Sequence, residues 1–418
     1  MPSGPEPSGE QAAPLTLTLA DALQRARANS VQFQATVTEA GIAHEEKVQD
    51  RAGLLPAVSY EAQYLYTQGN GTPSGRFIAN NGVHEYVSQG TAHQVIDLAH
   101  IAEYRRASAA EALAKAKAEV AERGLVVTVV QSYYGLVVAQ RKYATAQQAA
   151  QEAQRFLKLS QALEQGGEVA HSDVIKAQLQ SNDRQNSFKE AQLTMERARL
   201  TLAVLLFPNF EQNFSVVDDL RIPPPLPSSA EVRQLAERNN PELHAALAAL
   251  RAADQEVAAA WSGHLPSLSF DYSYGIDANS FATRTGSIRN LGYAATATLS
   301  LPVWNWGATQ SKVRQAGLRR QQARLELSAA QRQVLANLQA FYAEAEAARS
   351  ELETLRSSAE LASESLHLTT VRYQAGEASV LEVVDAQNTA ALARNAYDDG
   401  EARYRVALAQ LQTLTGNY

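Results

Sequence analysis

Two stretches of this chain alternate between apolar and polar residues with a period of two. From Leu268, one face carries Leu268, Phe270, Tyr272, Tyr274 and Ile276, and the other Ser269, Asp271, Ser273, Gly275 and Asp277. An earlier stretch sets Val58, Tyr60, Ala62, Tyr64 and Tyr66 against Ser59, Glu61, Gln63 and Thr67, with only Leu65 out of phase. Alternation over about ten residues predicts strands with one apolar face. Each has a return segment: LGYAATATLSL (291–301) keeps the alternation, whereas EYVSQGTAHQVI (85–96) follows it poorly. Taken alone, such strands fit a soluble antiparallel sheet with one wet face, or membrane-spanning strands with tyrosine on the lipid side.

The remaining periodicity is helical. It predicts helices over 19–53, 99–161, 172–206, 230–263, 308–371 and 379–415, with Pro56, Pro266 and Pro302 at the helix–strand changes. The stretch 99–161 contains no proline and would span roughly 95 Å at 1.5 Å per residue. The two shorter helices of the same half, placed end to end, come to a similar length. One long helix lying beside two stacked short ones is the economical packing. The abundance of alanine lets the backbones approach closely, in a coiled-coil-like layer.

The order of elements occurs twice. QGGEVAHSDVIKAQ (165–178) and QAGEASVLEVVDAQ (374–387) share Gln, Gly, Glu, Val, Ala and Gln at matching places, and LLPAVSY (54–60) matches HLPSLSF (264–270) at an offset of about 210 residues. The sequence therefore predicts a flexible leader over 1–14 and a first repeat over 15–215 with a hairpin at 57–97. A proline-rich linker over 216–229 and a second repeat over 230–418 with a hairpin at 267–303 follow. Each glycine turn marks a place where a long helix reverses, which needs a backbone angle that other residues resist.

Composition narrows the classes. Among 418 residues, 19% are charged, the net charge is −7 and there is no cysteine. No electrostatic case for nucleic-acid binding arises, and disulfides, thiolate metal sites and a cysteine nucleophile are excluded. The first residues have neither a basic start nor an apolar core, and no run approaches about 18 consecutive apolar residues. The eight histidines show no i,i+4 pair on a helix and no clustering with carboxylates, so no metal site or cofactor is expected. No phosphate-binding glycine loop or catalytic triad pattern is present either, which argues against an enzyme. Four strands are too few to close a barrel, for which about eight is the practical minimum. A symmetric trimer would close one of twelve strands, continued by a tube of helices.

RYQAGEASVLEVVDAQNTAALARNAYDDGEARYRVALAQLQTLTG (372–416) resembles the C-terminal signature of the TolC-like outer-membrane efflux family. LPSLSFDYSYG and LSLPVWNWGATQSKVRQA are similar to the family's strand and strand-to-helix passages. The resemblance runs from about residue 15 to the end. It implies a mainly α fold with transmembrane β: a homotrimer with a β-barrel in the bacterial outer membrane, a periplasmic helical tunnel and helix tips that close it. It also implies a passive exit duct for efflux or type I secretion. The partners would be a periplasmic adaptor, outer-membrane lipid and an inner-membrane pump of the RND, ABC or MFS type. The reading from a different class is a soluble coiled-coil scaffold with a small β-hairpin module.

In this frame Gly167 and Gly376 are expected at the periplasmic tips. Ser379 and Glu382 have the S-x-x-E spacing of a capping box. Glu382 and Asp385 also match the family's acidic constriction. Asp173 occupies the place of Glu382 in the first repeat, but Lys176 stands where Asp385 does, and Ala378 replaces the family's basic gate residue. Tyr373 fits either a gate or interhelical packing. Trp304 and Trp306 are read as membrane-interface anchors, the alternative being ordinary packing at a chain bend. Tyr60, Tyr64, Tyr66, Phe270, Tyr272 and Tyr274 are expected to face lipid.

Overall fold

The computed structural model describes residues 15–66, 84–209 and 213–416. The predicted leader, Thr67 and the glycine-rich segment 68–82 lie outside these residues. In chain order the elements are β1 (Leu15–Leu17), α1 (Leu19–Asn29), α2 (Val31–Ala52), β2 (Ala57–Tyr66), β3 (His84–Ile96), α3 (Leu98–Gln165), α4 (His171–Leu206) and β4 (Phe214–Val216). There follow α5 (Ser229–Asn239), α6 (Pro241–Ser262), β5 (Ser267–Ala278), β6 (Arg284–Thr285), β7 (Ile288–Arg289), β8 (Leu291–Ser300), α7 (Ala308–Gln374) and α8 (Val380–Thr415). The chain divides into two units. Among the described residues, one comprises 15–36, 118–209, 213–242 and 331–416, the other 37–66, 84–117 and 243–330, and α3 and α7 contribute to both.

The second of these units holds an antiparallel sheet in the order β2-β3-β5-β8. Its register aligns Val58 with Ala92 and Ala92 with Tyr272, and then Tyr272 with Ala295. Every apolar position of β5 therefore shares a face with Tyr60, Tyr64 and Tyr66. The poorly alternating return segment is a full strand, β3, paired on both sides. Its neighbours dictate its conformation where its own pattern does not. A two-stranded ribbon, β6–β7, decorates the second hairpin. In the same unit α2 is tied to α3 through Glu111, which is nearly buried. It accepts bonds from Lys47 Nζ at 2.9 Å and Lys115 Nζ at 2.6 Å and meets His44 Nδ1 at 3.0 Å. Its own lysine first, then Lys47 and His44, hold this carboxyl down at about 2.

The other unit contains the apolar core. Val126, Val129, Val130, Tyr133, Leu136 and Val137 of α3 pack against Leu202 and Leu206 of α4, and against Leu17 and Leu220. Here β1 and β4 form a short parallel pair, Leu15 opposite Phe214. The buried Tyr133 hydroxyl donates to the carbonyls of Leu17 (3.1 Å) and Val217 (2.8 Å), fastening both strands to α3. Burial pushes this phenol up to about 12.

Two helices predicted as continuous are each broken. The pattern 19–53 separates into α1 and α2 at Ser30, whose ψ of 110 is extended. There the side-chain amide of Asn29, the last residue of α1, donates both to Arg25 O of its own helix (3.0 Å) and to Leu206 O of α4 (2.7 Å). The pattern 230–263 separates at Asn240, which precedes Pro241 and is extended as that neighbour requires. Its side chain donates to Leu414 O at 3.2 Å.

Candidate functional site: helix tips and sheet surface

The reversal from α3 to α4 is a glycine-closed helix end. Gly167 has φ 77, its N–H donates to Glu164 O (2.9 Å) and that of Glu168 donates to Leu163 O (2.9 Å). The reversal from α7 to α8 repeats the design: Gly376 also has φ 77, with Gly376 N–H to Tyr373 O (3.1 Å) and Glu377 N–H to Arg372 O (2.9 Å). This paired 5→2 and 6→1 closure satisfies the last helical carbonyls, and its left-handed residue is costly for anything carrying a Cβ.

The helix starts that follow are unlike. At α8 the Glu382 N–H donates to Ser379 Oγ (3.3 Å), while Ser379 N–H donates to Glu382 Oε1 (3.1 Å). Arg372 Nη1 lies 3.5 Å from the other carboxylate oxygen. The backbone N–H of Ser379, then its hydroxyl and Arg372, hold the Glu382 carboxyl below the usual range. At α4 the capping position is Ala170, which has no side-chain bond to give. Asp173 is half-buried and sits 3.3 Å from Lys176, and His171 Nδ1 lies 2.7 Å from Glu164 Oε1 across the turn. Asp385 is exposed.

The two reversals are brought together by an apolar cluster of four helices: Phe156 and Leu157 of α3, Val174 and Ala177 of α4, Tyr373 of α7, and Val380 and Val383 of α8. Tyr373 packs within this cluster. The ring is 3% exposed, lies 4.9 Å from Phe156, and its hydroxyl is 3.0 Å from Ser160 Oγ. Just above, Gln180 Nε2 of α4 donates to Asn388 Oδ1 of α8 at 3.1 Å, and Arg184 bonds to the same oxygen.

The sequence did not reveal a charge knot in the same unit. Arg141 of α3 bonds Asp218 through two nitrogens (both 2.6 Å), Asp398 at 3.1 Å, and Glu401. The Asp398 side chain is fully buried, and burial raises its carboxyl despite Arg394 and Arg141. Burial works against the Arg141 charge too, but Asp218 and Glu401 outweigh it and hold the guanidinium up. The proline-rich segment beyond Asp218 is stapled by Arg405 to Ile222 O (2.9 Å), Tyr404 to Pro224 O (2.7 Å) and Tyr342 to Pro227 O (3.4 Å). These partners lie too far apart in sequence to announce one another.

On the sheet, the predicted aromatic residues share one exposed surface: Tyr60, Tyr64, Tyr66, Phe270, Tyr272 and Tyr274, joined by the exposed Tyr293 and the half-buried Tyr86. Tyr60 OH meets Ser88 Oγ and Tyr64 OH meets His84 Nδ1, each at 2.7 Å. The opposite surface pairs His93 with Asp271 at 2.6 Å. Trp304 and Trp306 follow Pro302, are 76% and 89% exposed, and make an edge-to-face pair at 5.9 Å. Trp306 has φ 56 and Gly307 φ 80, so two successive left-handed residues turn the chain into α7. The expectation that histidines avoid carboxylates is corrected: folding brings His44 to Glu111 and His93 to Asp271, while His100 meets Asp97 within one helical turn and His171 meets Glu164 across the reversal. Among the described residues no group of three or more His, Cys, Asp or Glu could hold a metal ion, and no helix is long and apolar enough to cross a membrane.

Comparison with known proteins adds independent findings. The sequence model of the family described as Outer membrane efflux protein matches residues 22–206 and again 232–417. The chain is 25% identical to Outer membrane protein TolC of Vibrio cholerae over 413 residues, covering 94% of this chain and 89% of that one. It is 24% identical to the Proteases secretion protein PrtF of Dickeya chrysanthemi, covering 95% and 88%. Its fold matches the crystal structure of the outer membrane protein VceC from Vibrio cholerae with a TM-score of 0.82 at 17% identity, over 96% of each chain.

Proposed function

Because the chain belongs to the outer membrane efflux protein family, we propose a specific way in which its two units work. The protein is an outer-membrane channel, the exit duct of a TolC-like efflux or secretion system. Its working form is a homotrimer in which β2 of one copy pairs with β8 of the next, closing twelve strands. The observation that carries this is the sheet itself: an exposed, tyrosine-rich face ending in two strands, β2 and β8, that each have one unpaired edge among the described residues. Exposed edges and an apolar face in water are both costly, and closure in lipid removes both.

In the trimer the aromatic face meets lipid, Trp304 and Trp306 mark the membrane boundary, and the polar face keeps the passage wet. The six glycine reversals, two per chain at Gly167 and Gly376, ring the periplasmic aperture. Glu382 and Asp385, with Asp173, give that aperture its negative charge. A periplasmic adaptor engages the tips and parts them, and an inner-membrane pump of the RND, ABC or MFS type supplies the energy. Cargo passes without chemistry.

Engineered cysteines test the assembly, since the native chain has none. Cysteine pairs scanned along β2 and β8, with Ala62→Cys and Ala295→Cys among them, should produce oxidised three-chain species from detergent-extracted membranes. A protein that is monomeric, soluble without detergent and never cross-linked through these strands would overturn the proposal.

A further inference from the structure

We propose that the first turns of α7 form a docking surface for anionic phospholipid headgroups; the proposal rests on the reading above that Trp304 and Trp306 sit at the membrane boundary. From Ala308 to Leu325 this helix carries Lys312, Arg314, Arg319, Arg320 and Arg324, and no Asp or Glu. Lys312, Arg314, Arg319 and Arg324 are exposed, and Arg320 is half-buried. Among the described residues Arg319 lies 3.5 Å from Glu256, and no carboxylate pairs with the other four. The segment in register in the first repeat, the start of α3, mixes both signs. There Arg106 meets Glu103 at 2.5 Å and Lys115 meets Glu111 at 2.6 Å. A run of cations without an intervening acid is therefore a property of one helix start and not of the repeated fold.

What precedes the cations gives them a partner. Leu301, Val303, Trp304 and Trp306 are all exposed, and they pass directly into α7. An apolar stretch, then tryptophan, then arginine and lysine is the order met on crossing from hydrocarbon through the interface to the phosphates. At 1.5 Å per residue, Lys312 and Arg314 lie roughly 6 to 9 Å along the helix from its start, and Arg319 and Arg320 about 17 Å. Long side chains extend back by several ångströms, and the field of an anionic surface persists for about 8 Å in physiological salt. At about 100° per residue, Lys312 and Arg319 share one side of the helix, Arg320 and Arg324 a second, and Arg314 a third. No single packing partner can cover all of them. Guanidinium groups bind phosphate through two parallel hydrogen bonds, and the helix start adds its own partial positive charge.

The test uses the full-length protein, extracted and equilibrated in mixed micelles containing equal phosphatidylcholine and phosphatidylglycerol. The lipid retained after size exclusion is then quantified. The wild type should retain phosphatidylglycerol over phosphatidylcholine by roughly fivefold at low salt, falling towards parity in about 0.5 M sodium chloride. The quadruple variant Lys312→Gln, Arg314→Gln, Arg319→Gln, Arg320→Gln should retain both lipids equally, with unchanged oligomer size. Should that variant not assemble, the double variant Lys312→Gln, Arg314→Gln should halve the preference, and the arginine-to-lysine variant should keep it. Parity in the wild type, or an undiminished preference in an assembled glutamine variant, would overturn the proposal. So would displacement by inorganic phosphate beyond that by chloride of equal ionic strength, which would indicate a free-phosphate site. Failure of the channel reading looks different: the protein would retain neither lipid and would need no detergent.

Discussion

Gly167 and Gly376 adopt the same φ of 77°, and the residues around each close the same two backbone bonds. Beyond that point the two reversals diverge. The second opens α8 with a reciprocal capping box and an arginine held against it, and the first opens α4 from an alanine that caps nothing. Acid at Asp385 is answered by base at Lys176. Duplication has preserved what the backbone requires while the charges have been free to change. The same holds at Arg141, whose position in register is Ser350, a residue that only bonds its own helix at Ala347 O.

The largest test of this asymmetry is Arg141→Ala. Removing the guanidinium leaves Asp398 and Glu401 buried without their main partner, which costs about 3–5 kcal/mol when one side of a buried pair is deleted. Ser350→Ala, the equivalent change in the second repeat, should cost less than about 0.5 kcal/mol. Denaturation of the two purified variants in parallel measures the difference. Adding Asp398→Asn to Arg141→Ala should recover part of the loss, because it removes the stranded charge. Equal stability of both single variants would mean that the knot is idle.

This contrast also explains what could be read from sequence. Strand alternation, the glycine turns and the S-x-x-E spacing at Ser379 are local, and each needs only neighbouring letters. The Asn240 break was legible through Pro241, but the Ser30 break was not, since the Asn29 side chain beside it bonds Leu206 O, a partner that no local pattern foretells. Three-residue strands such as β1 and β4 are too short to display a period, and their pairing depends on Tyr133 far along the chain. Arg141 reads as an ordinary helix-surface arginine until folding brings α8 and the proline-rich segment against it. Tyr373 sat within a recognisable motif, but its burial depends on Phe156 in the other repeat.

A smaller effect separates the helix starts. Ser379→Ala should cost about 1 kcal/mol, and Ala170→Ser should recover some of that at the first tip. Hydrogen exchange reads this locally. At neutral pH, amides in the first turn of α8 should be protected roughly fivefold more than in Ser379→Ala. The Glu382 carboxyl is depressed in the folded protein, so its share of the capping is complete above the ordinary carboxylate value of 4.5 and is lost as pH falls through the lower folded value. The protection of α8 over α4 should therefore narrow on acidification below about pH 5, after correction for intrinsic exchange. A gap independent of pH would remove Glu382 from the cap.

The smallest expected effect concerns ions and turns on the charge difference between Asp385 and Lys176. If the aperture is ringed by both reversals, each trimer carries three copies of Glu382, Asp385 and Asp173 against three of Lys176. The net field is negative but weakened by the first repeat. Glu382→Gln with Asp385→Asn should reduce the cation preference of single channels in planar bilayers, and Lys176→Gln should raise it, each by less than about threefold because the groups are solvated and screened. The opposite signs are the useful part, since a general disturbance of the tips would move both variants in the same direction. Unchanged selectivity in both would place these side chains away from the passage, and the next charges to test would be Asp271 and Asp277, which share the sheet face opposite the aromatic one.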